Sequence, residues 1–193
     1  MGETYAADAT YAKTDFTKQP FLKGEYDHCS FNHCNLSGCD LSGTRFIDCH
    51  FAHCNLSLAK LIGTVLRDVL FRDCKMLGLH FEQCNAFGLT FSCDGCTLDH
   101  SSFYQVKIKK TRFKNTQLKE VDLTECDLSG SSFEACDFWG AHFEQTILEK
   151  ADFRTSVNYS INPEQNRIKK ARFSLSEIAG LLDKYDIDID KRS

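Results

Sequence analysis

The sequence predicts an all-β solenoid in which the chain coils around a packed apolar axis and ends in a short α-helical cap. Two observations lead to this fold. A large apolar residue recurs at every fifth position from Phe16 to Phe153, and the position two residues before it is almost always small. A period of five matches neither the helical period of about 3.6 nor the strand period of about 2, so the chain must turn once in every five residues.

The repeat occupies residues 16–155, between an N-terminal segment of residues 1–15 and a C-terminal segment of residues 156–193. In an extended quintet, residues two apart share the inner side. Four quintets then form a square coil of twenty residues, and about seven such coils bury their apolar faces by stacking. Taking every fourth quintet predicts one inner column made entirely of phenylalanine: Phe31, Phe51, Phe71, Phe91, Phe113, Phe133 and Phe153.

The repeat slips by two residues after Phe91 and resumes at Leu98. Asp-Gly is a turn signal, so the extra residues are placed near 92–97. The candidate loop is therefore Ser92, Cys93, Asp94 and Gly95, with a second irregularity in packing at Ala86 and Phe87.

The C-terminal segment changes character. Ser174 to Glu177 has the spacing of a capping box, and apolar residues follow at helical intervals, which predicts a helix over 175–185. We expect this helix to cap the open end of the solenoid and to pair with a second copy. The expected dimer interface consists of Leu175, Ile178, Ala179, Leu181, Leu182, Tyr185 and Ile187.

Composition indicates one domain. The chain has 193 residues, 42% hydrophobic residues and a net charge of −4. No apolar run reaches the length of a membrane span and no export signal is evident, so a cytoplasmic location and no membrane partner are expected. The negative charge argues against direct nucleic-acid binding and favours a basic protein partner.

Ten of the eleven cysteines occupy the small inner position, which is typical of buried apolar side chains rather than of disulfides or metal ligands. Only Cys93 lies outside this pattern. Together with Cys96 it spells C-x-x-C, which is either part of the turn at the slip or a reactive or metal-binding thiol pair. His28, His33 and His53 fall on outward positions, with the last two stacked on one face.

No catalytic residue, cofactor site or metal site is predicted. The chain contains no Walker A loop, dinucleotide fingerprint or H-E-x-x-H motif. A rod with a filled interior also leaves no cleft in which catalytic groups could converge. The expected class is therefore a non-enzymatic protein.

Quintets such as Cys34 to Gly38, Cys39 to Gly43 and Cys126 to Gly130 resemble the pentapeptide-repeat family. This resemblance implies a right-handed quadrilateral β-helix. Family members serve many roles, so the quintets alone carry little information about function.

The C-terminal residues 156–159, 166–175, 179–182 and 186–187 resemble the ending of the Qnr-like topoisomerase-protecting proteins. Residues 54–58, 72–78 and 102–104 resemble their AlbG-like albicidin-resistance branch. The resemblance implies a homodimer that imitates duplex DNA, binds DNA gyrase and topoisomerase IV, and relieves poisoning by quinolones or peptide toxins. Several quinolone-protecting members carry sizeable projecting loops. The two-residue insertion here fits peptide-toxin immunity or simple gyrase binding better than strong quinolone resistance.

One face of the predicted rod is the most acidic, and its carboxylates are the candidate gyrase-facing surface: Asp40, Glu82, Asp122, Glu125 and Glu144. The next two faces carry a basic patch of Lys107, Lys109, Lys110, Arg112 and Lys114, which does not imitate DNA. Three alternatives stay open. The charges could be ordinary solvated residues, the rod could be a scaffold for another protein, or Cys93 and Cys96 could carry thiol chemistry.

Overall fold

A computed structural model describes residues 4–190 and shows a parallel β-solenoid. Its four-stranded sheet consists of β1 (Thr4–Ala7), β3 (Gly24–Asp27), β5 (Arg45–Ile47) and β7 (Val65–Arg67). Its seven-stranded sheet consists of β2 (Thr10–Ala12), β4 (Ser30–Asn32), β6 (His50–Ala52), β8 (Val69–Arg72), β9 (Phe91–Asp94), β10 (Arg112–Lys114) and β11 (Ser132–Glu134). These sheets form the first and second faces of the rod.

Successive coils stack in register at intervals of twenty residues. Phe31 lies opposite Phe51 in the second face. Single bridges continue the stack on the third face, as between Asn35 and Asn55, and on the fourth face, as between Asp40 and Lys60. The predicted solenoid of about seven coils is therefore confirmed.

The large inner residues form a continuous apolar core. The rings of Phe31 and Phe51 stack at 4.6 Å between centroids and 5° between planes, and Phe133 and Phe153 stack at 4.6 Å. The stack continues to Tyr11 at the N-terminal end and to Phe173 at the C-terminal end. Burial of these rings, with offset aromatic contacts between coils, holds the rod together.

The small inner residues close the turns. Thr64 Oγ1 donates to the carbonyl oxygen of Leu41 at 2.8 Å, and Cys54 Sγ donates to that of Phe31 at 3.2 Å. A thiol or hydroxyl at this position therefore donates a hydrogen bond to a buried carbonyl of the preceding coil, which explains why Cys, Ser and Thr can replace one another there. All eleven cysteines are free, and ten are buried, with Cys39 half-buried.

Each coil has four corners. A corner lies two residues after a large inner residue, where the backbone adopts a positive φ. At Gly38 this conformation costs nothing, because glycine has no Cβ. Leu58 and Lys110 adopt it too, with φ of 59° and 58°. Non-glycine residues bear strain in this region, so the surrounding ladder of hydrogen bonds must hold them there.

The register at the slip differs from the predicted one. Cys93, not Phe91, lies opposite both Phe71 and Phe113, whereas Phe91 lies opposite Val69. The phenylalanine column is therefore interrupted, and the two extra residues fall within 85–90. Ser92, Cys93 and Asp94 belong to the strand β9, and Gly95 is its corner residue with φ of 69°.

The physical reason is an exchange of large and small side chains within one strand. Phe91 occupies the position that is small elsewhere, and Cys93 occupies the large one. The ring of Phe91 stacks on Phe81 at 5.2 Å and contacts Phe113 edge-on at 6.1 Å, so it fills the volume that Cys93 leaves.

Both ends of the rod also differ from the prediction. At the N-terminus, β1 pairs with β3, so the solenoid begins before residue 16. At the C-terminus, the predicted helix over 175–185 is replaced by two 3₁₀ turns, Ile178–Leu181 and Asp183–Tyr185. Residues 1–3 and 191–193 of the predicted terminal segments lie outside the described residues. Across residues 4–190, no helix is long and apolar enough to cross a membrane.

The cap is irregular because its backbone packs against the last coil. The Gly180 carbonyl accepts a hydrogen bond from Ile161 N at 2.8 Å, and a Cβ on Gly180 would clash with the Tyr159 carbonyl. The predicted capping box does not form, since Glu177 instead accepts a hydrogen bond from Asn158 N.

Candidate protein-binding surfaces

The fourth face carries three carboxylates in its C-terminal half that no lysine or arginine neutralises. Asp122 Oδ1 accepts a hydrogen bond from Thr124 N at 2.9 Å, and Glu125 Oε2 accepts one from Gln105 Nε2 at 2.9 Å. Glu144 is exposed on the next coil. Among residues 4–190, none of these three forms an ion pair, so they present a local negative charge to solvent.

The two N-terminal members of the predicted acidic surface are different. Asp40 is paired with Lys23, whose hydrogen bond lowers the pKa of the Asp40 carboxyl. Glu82 Oε1 lies 2.7 Å from His80 Nδ1. The structure therefore divides the five carboxylates into two that have basic neighbours and three that do not. This division depends on side-chain positions, which the sequence alone does not reveal.

The predicted basic patch is partly neutralised. Lys109 pairs with Asp127 at 3.1 Å, while Arg112 and Lys114 share Glu134 at 3.5 and 3.2 Å. These pairs are exposed on at least one side, so each contributes little to stability. Because Arg112 and Lys114 share one carboxylate, the two carboxylates leave the five cations a net charge of +3, and only Lys107 and Lys110 are unpaired within the described part of the chain.

A loop replaces one strand of the first face at residues 85–88. Asn85 Oδ1 accepts a hydrogen bond from Phe87 N at 2.9 Å, which holds a tight turn, and Phe87 at its tip is 81% exposed. The turn signal that could have located this loop is Asn85 followed by Gly88, with Ala86 in place of a large residue.

An open groove lies beside this loop. It is lined mainly by apolar side chains, including Phe81, Leu89, Tyr104 and Val106. The groove exists because the first face lacks a strand in this coil, so the edge of the neighbouring coil stays uncovered.

The C-terminal end exposes several apolar side chains. Leu175 is 89% exposed, and Ile178, Tyr185 and Ile187 are also exposed. Leu181 instead packs against the core of its own rod. The predicted dimer interface is thus split, because Ala179, Leu181 and Leu182 are partly buried against the last coil.

The histidines lie on the surface, as predicted. His33 and His53 stack at 4.6 Å between ring centroids. His28 Nδ1 lies 2.7 Å from Asp27 Oδ1, and this hydrogen bond raises the pKa of His28. Asp27, His28 and Asp48 could each offer a ligand atom, all within 4.8 Å of one another. Exposed groups of this kind are common without a metal, and no further observation points to one here.

A family model described as a pentapeptide repeat region matches residues 25–93 and 92–173. These two matches together span most of the chain. No curated protein sequence matches it.

Several solved structures share the architecture, including those of QnrB1 and HetL. Full-length QnrB1, a plasmid-mediated fluoroquinolone resistance protein, has a TM-score of 0.62 and 16% identity over 96% of this chain and 100% of that chain. HetL, a pentapeptide repeat protein involved in heterocyst differentiation regulation from the cyanobacterium Nostoc sp. strain PCC 7120, has a TM-score of 0.58 and 15% identity over 90% and 86%. At such identities the likeness concerns the fold alone.

Proposed function

Since this chain belongs to the pentapeptide-repeat family, we propose that it is a non-enzymatic cytoplasmic protein that binds DNA gyrase and topoisomerase IV in place of duplex DNA. By occupying the site of the DNA, it would protect these enzymes against poisons such as quinolones or peptide toxins of the albicidin type. The fold that it shares with a fluoroquinolone resistance protein supports this proposal.

The observation that carries the proposal is the set of unpaired carboxylates on the fourth face. Asp122, Glu125 and Glu144 lie on neighbouring coils of a rigid rod, and coils repeat at about 4.8 Å. A basic groove that binds phosphates would attract a row of fixed negative charges by electrostatic complementarity.

The proposal includes a homodimer. Leu175, Ile178, Tyr185 and Ile187 expose apolar surface at one end of the rod, where a second copy would cover it. Seven coils make a rod of about 34 Å, so end-to-end pairing would give about 70 Å of continuous surface.

The decisive experiment is a gyrase supercoiling assay with and without a quinolone and with and without albicidin. We expect the protein to restore supercoiling in the presence of at least one of these poisons. If it neither inhibits gyrase nor alters the response to any poison, the proposal is wrong.

The surface is tested by a triple variant, Asp122→Asn, Glu125→Gln and Glu144→Gln. A matched control, Asp8→Asn, Asp48→Asn and Asp68→Asn, removes three exposed carboxylates from another corner of the rod. In the gyrase supercoiling assay, we expect the first variant to need at least a tenfold higher protein concentration than the wild type for the same effect. The control variant should need about the same concentration as the wild type. If both variants lose the same activity in this assay, the effect depends on the net charge of the protein and not on the position of these three carboxylates.

A scaffold for another protein is the alternative. Leu58 and Ile62 are 69% and 60% exposed in the N-terminal half, in coils before those of the three unpaired carboxylates. If Leu58→Ser with Ile62→Ser abolishes co-purification of a protein other than a topoisomerase subunit, while gyrase assays stay unaffected, the scaffold function is favoured.

A further inference from the structure

A line of lysines lies at the corner between the first and second faces, outside the surfaces to which the proposed function assigns a role. Lys110, Lys150 and Lys170 occupy this corner in the C-terminal half, with Gly130 at the same position of the intervening coil. Lys150 N donates to the Lys169 carbonyl at 3.0 Å, and Gly130 N donates to the Glu149 carbonyl at 2.8 Å, which fixes these turns one above another. We call Lys110, Lys150 and Lys170, with the flanking Lys107 and Lys169, the lysine ridge.

The carboxylates near the ridge are already engaged by other cations. Asp127 pairs with Lys109, and Glu149 pairs with Arg167 at 2.7 Å. Asp152 pairs with Arg154 and Arg172, and Glu134 pairs with Arg112 and Lys114. Within residues 4–190, all five ridge lysines are exposed and none forms an ion pair. The ridge is therefore a stretch of uncompensated positive charge on an acidic protein.

The backbone makes lysine an unfavourable choice at these corners. Lys110, Lys150 and Lys170 have φ of 58°, 61° and 61°, a region that glycine adopts freely and other residues adopt only under strain. At Gly130, the missing side chain leaves room for Lys110, whose Cγ would be 3.5 Å from a Cβ on that glycine. The Lys110 stem thus extends along the ridge towards the coil that carries Lys150.

The same corner is acidic in the N-terminal half. Asp8, Asp48 and Asp68 occupy the equivalent turns there, together with His28. The net charge of −4 averages these opposite halves, which is why the sequence predicts no nucleic-acid binding although one local surface is strongly basic.

We propose that the lysine ridge binds the phosphate backbone of duplex DNA without reading its sequence. Adjacent coils are about 4.8 Å apart, so the three corner lysines span about 14 Å. Duplex DNA carries one negative charge per about 1.7 Å of axis, a density several times that of the ridge, so every ammonium group of the ridge has phosphates within reach. Lysine heads on flexible stems act as point charges, which suits phosphates rather than base edges.

The test measures binding of the full chain to a labelled 20-base-pair duplex by fluorescence anisotropy, in the absence of any topoisomerase. Binding should be measurable at low salt and fall steeply as salt rises, because each phosphate contact releases a counterion. Lys110→Gln, Lys150→Gln and Lys170→Gln together should weaken binding at least tenfold. Three lost contacts should also reduce the salt slope by about 2.7, at about 0.9 per contact.

The matched control is Lys13→Gln, Lys60→Gln and Lys75→Gln, which removes three exposed lysines from the N-terminal half. We expect less than a threefold change. Equal loss in both variants, no binding by the wild type at low salt, or displacement of the duplex by polyglutamate at equal charge concentration would each overturn the proposal. The last result would indicate an acidic protein partner instead. Since no topoisomerase is present, failure here is independent of the proposed gyrase function.

Discussion

Individual hydroxyls and thiols close the turns of this rod, and two threonines on neighbouring coils show what such a bond contributes. Both are buried at the small inner position of the first face. Thr64 Oγ1 donates to the Leu41 carbonyl at 2.8 Å, whereas Thr44 Oγ1 has no hydrogen-bond partner among the described residues. Comparing the two positions therefore separates the contribution of the hydrogen bond to stability from the contribution of the buried methyl group, which both threonines have.

We expect Thr64→Val to lower the free energy of unfolding by about 1 kcal/mol, the usual net value of a buried hydrogen bond. Thr44→Val should leave it unchanged or raise it by up to about 1 kcal/mol, because it removes an unsatisfied buried hydroxyl. Equilibrium urea unfolding, with the slope m compared between variants, measures both. A loss at Thr44 equal to that at Thr64 would show that packing, not hydrogen bonding, decides this position.

The thiols allow a second prediction at this scale. Cys39 is half-buried and Cys93 is fully buried in β9, and burial raises the pKa of both thiols. Since the thiolate is the reactive form, neither should react quickly at neutral pH, and Cys93 should not react at all.

In native protein at neutral pH, we expect an aromatic disulfide reagent to modify about one thiol per chain, slowly, before unfolding exposes the others. Cys39→Ser should abolish this reaction, and Cys93→Ser should leave it unchanged. Preferential modification of Cys93 and Cys96 would instead support the reactive thiol pair that their spacing left open.

At the scale of elements, the five-residue period predicts which side chains are inside but not where the register shifts. Phe91 is large and lies five residues after Ala86, so the sequence fits two frames. Only the pairing of Phe91 with Val69, and of Cys93 with Phe71, distinguishes them. The acidic face could be predicted because a twenty-residue coil fixes the face of each residue, whereas the pairing of Asp40 with Lys23 depends on side-chain conformation.

The cap is a second element whose structure the sequence pattern does not predict. Leu175, Ile178 and Leu182 have helical spacing, yet tertiary contacts override it and produce two 3₁₀ turns. The close approach of Gly180 to the Tyr159 carbonyl is a contact between segments about twenty residues apart, and no local pattern reveals it.

Gly180→Ala should therefore displace the cap. The added Cβ would meet backbone, which cannot rotate away, so the hydrogen bond from Ile161 N to the Gly180 carbonyl should weaken. We expect a loss of about 1–3 kcal/mol and faster amide exchange at residues 159–161. The exposed Ser176→Ala is the control, with an expected change within about 0.5 kcal/mol. Unchanged stability in Gly180→Ala would mean that the cap does not depend on this contact.

The whole molecule is a linear stack in which each coil contacts only its neighbours, so the terminal coils of the described rod have one surface that no further coil covers. Aromatic rings line the core from Tyr11 to Phe173, with an interruption at Cys93, and the cap covers the C-terminal end. The outer side of that cap is apolar, with Leu175 and Ile178 exposed. A cluster of solvent-facing apolar side chains at one end of the rod is the reason to expect a homodimer.

Leu175→Asp with Ile178→Asp should convert the proposed dimer to a monomer of 22.0 kDa, measured by sedimentation equilibrium across a range of concentrations. Leu181 is unsuitable for this test because it packs against its own core, so its substitution would damage the fold. Leu22→Asp, at an exposed position near the opposite end, should remain dimeric. Charges placed in a buried symmetric interface lie close to their own copies, so repulsion adds to the lost apolar contact. A wild-type mass equal to one chain, or dissociation of the Leu22 variant as well, would contradict a C-terminal interface.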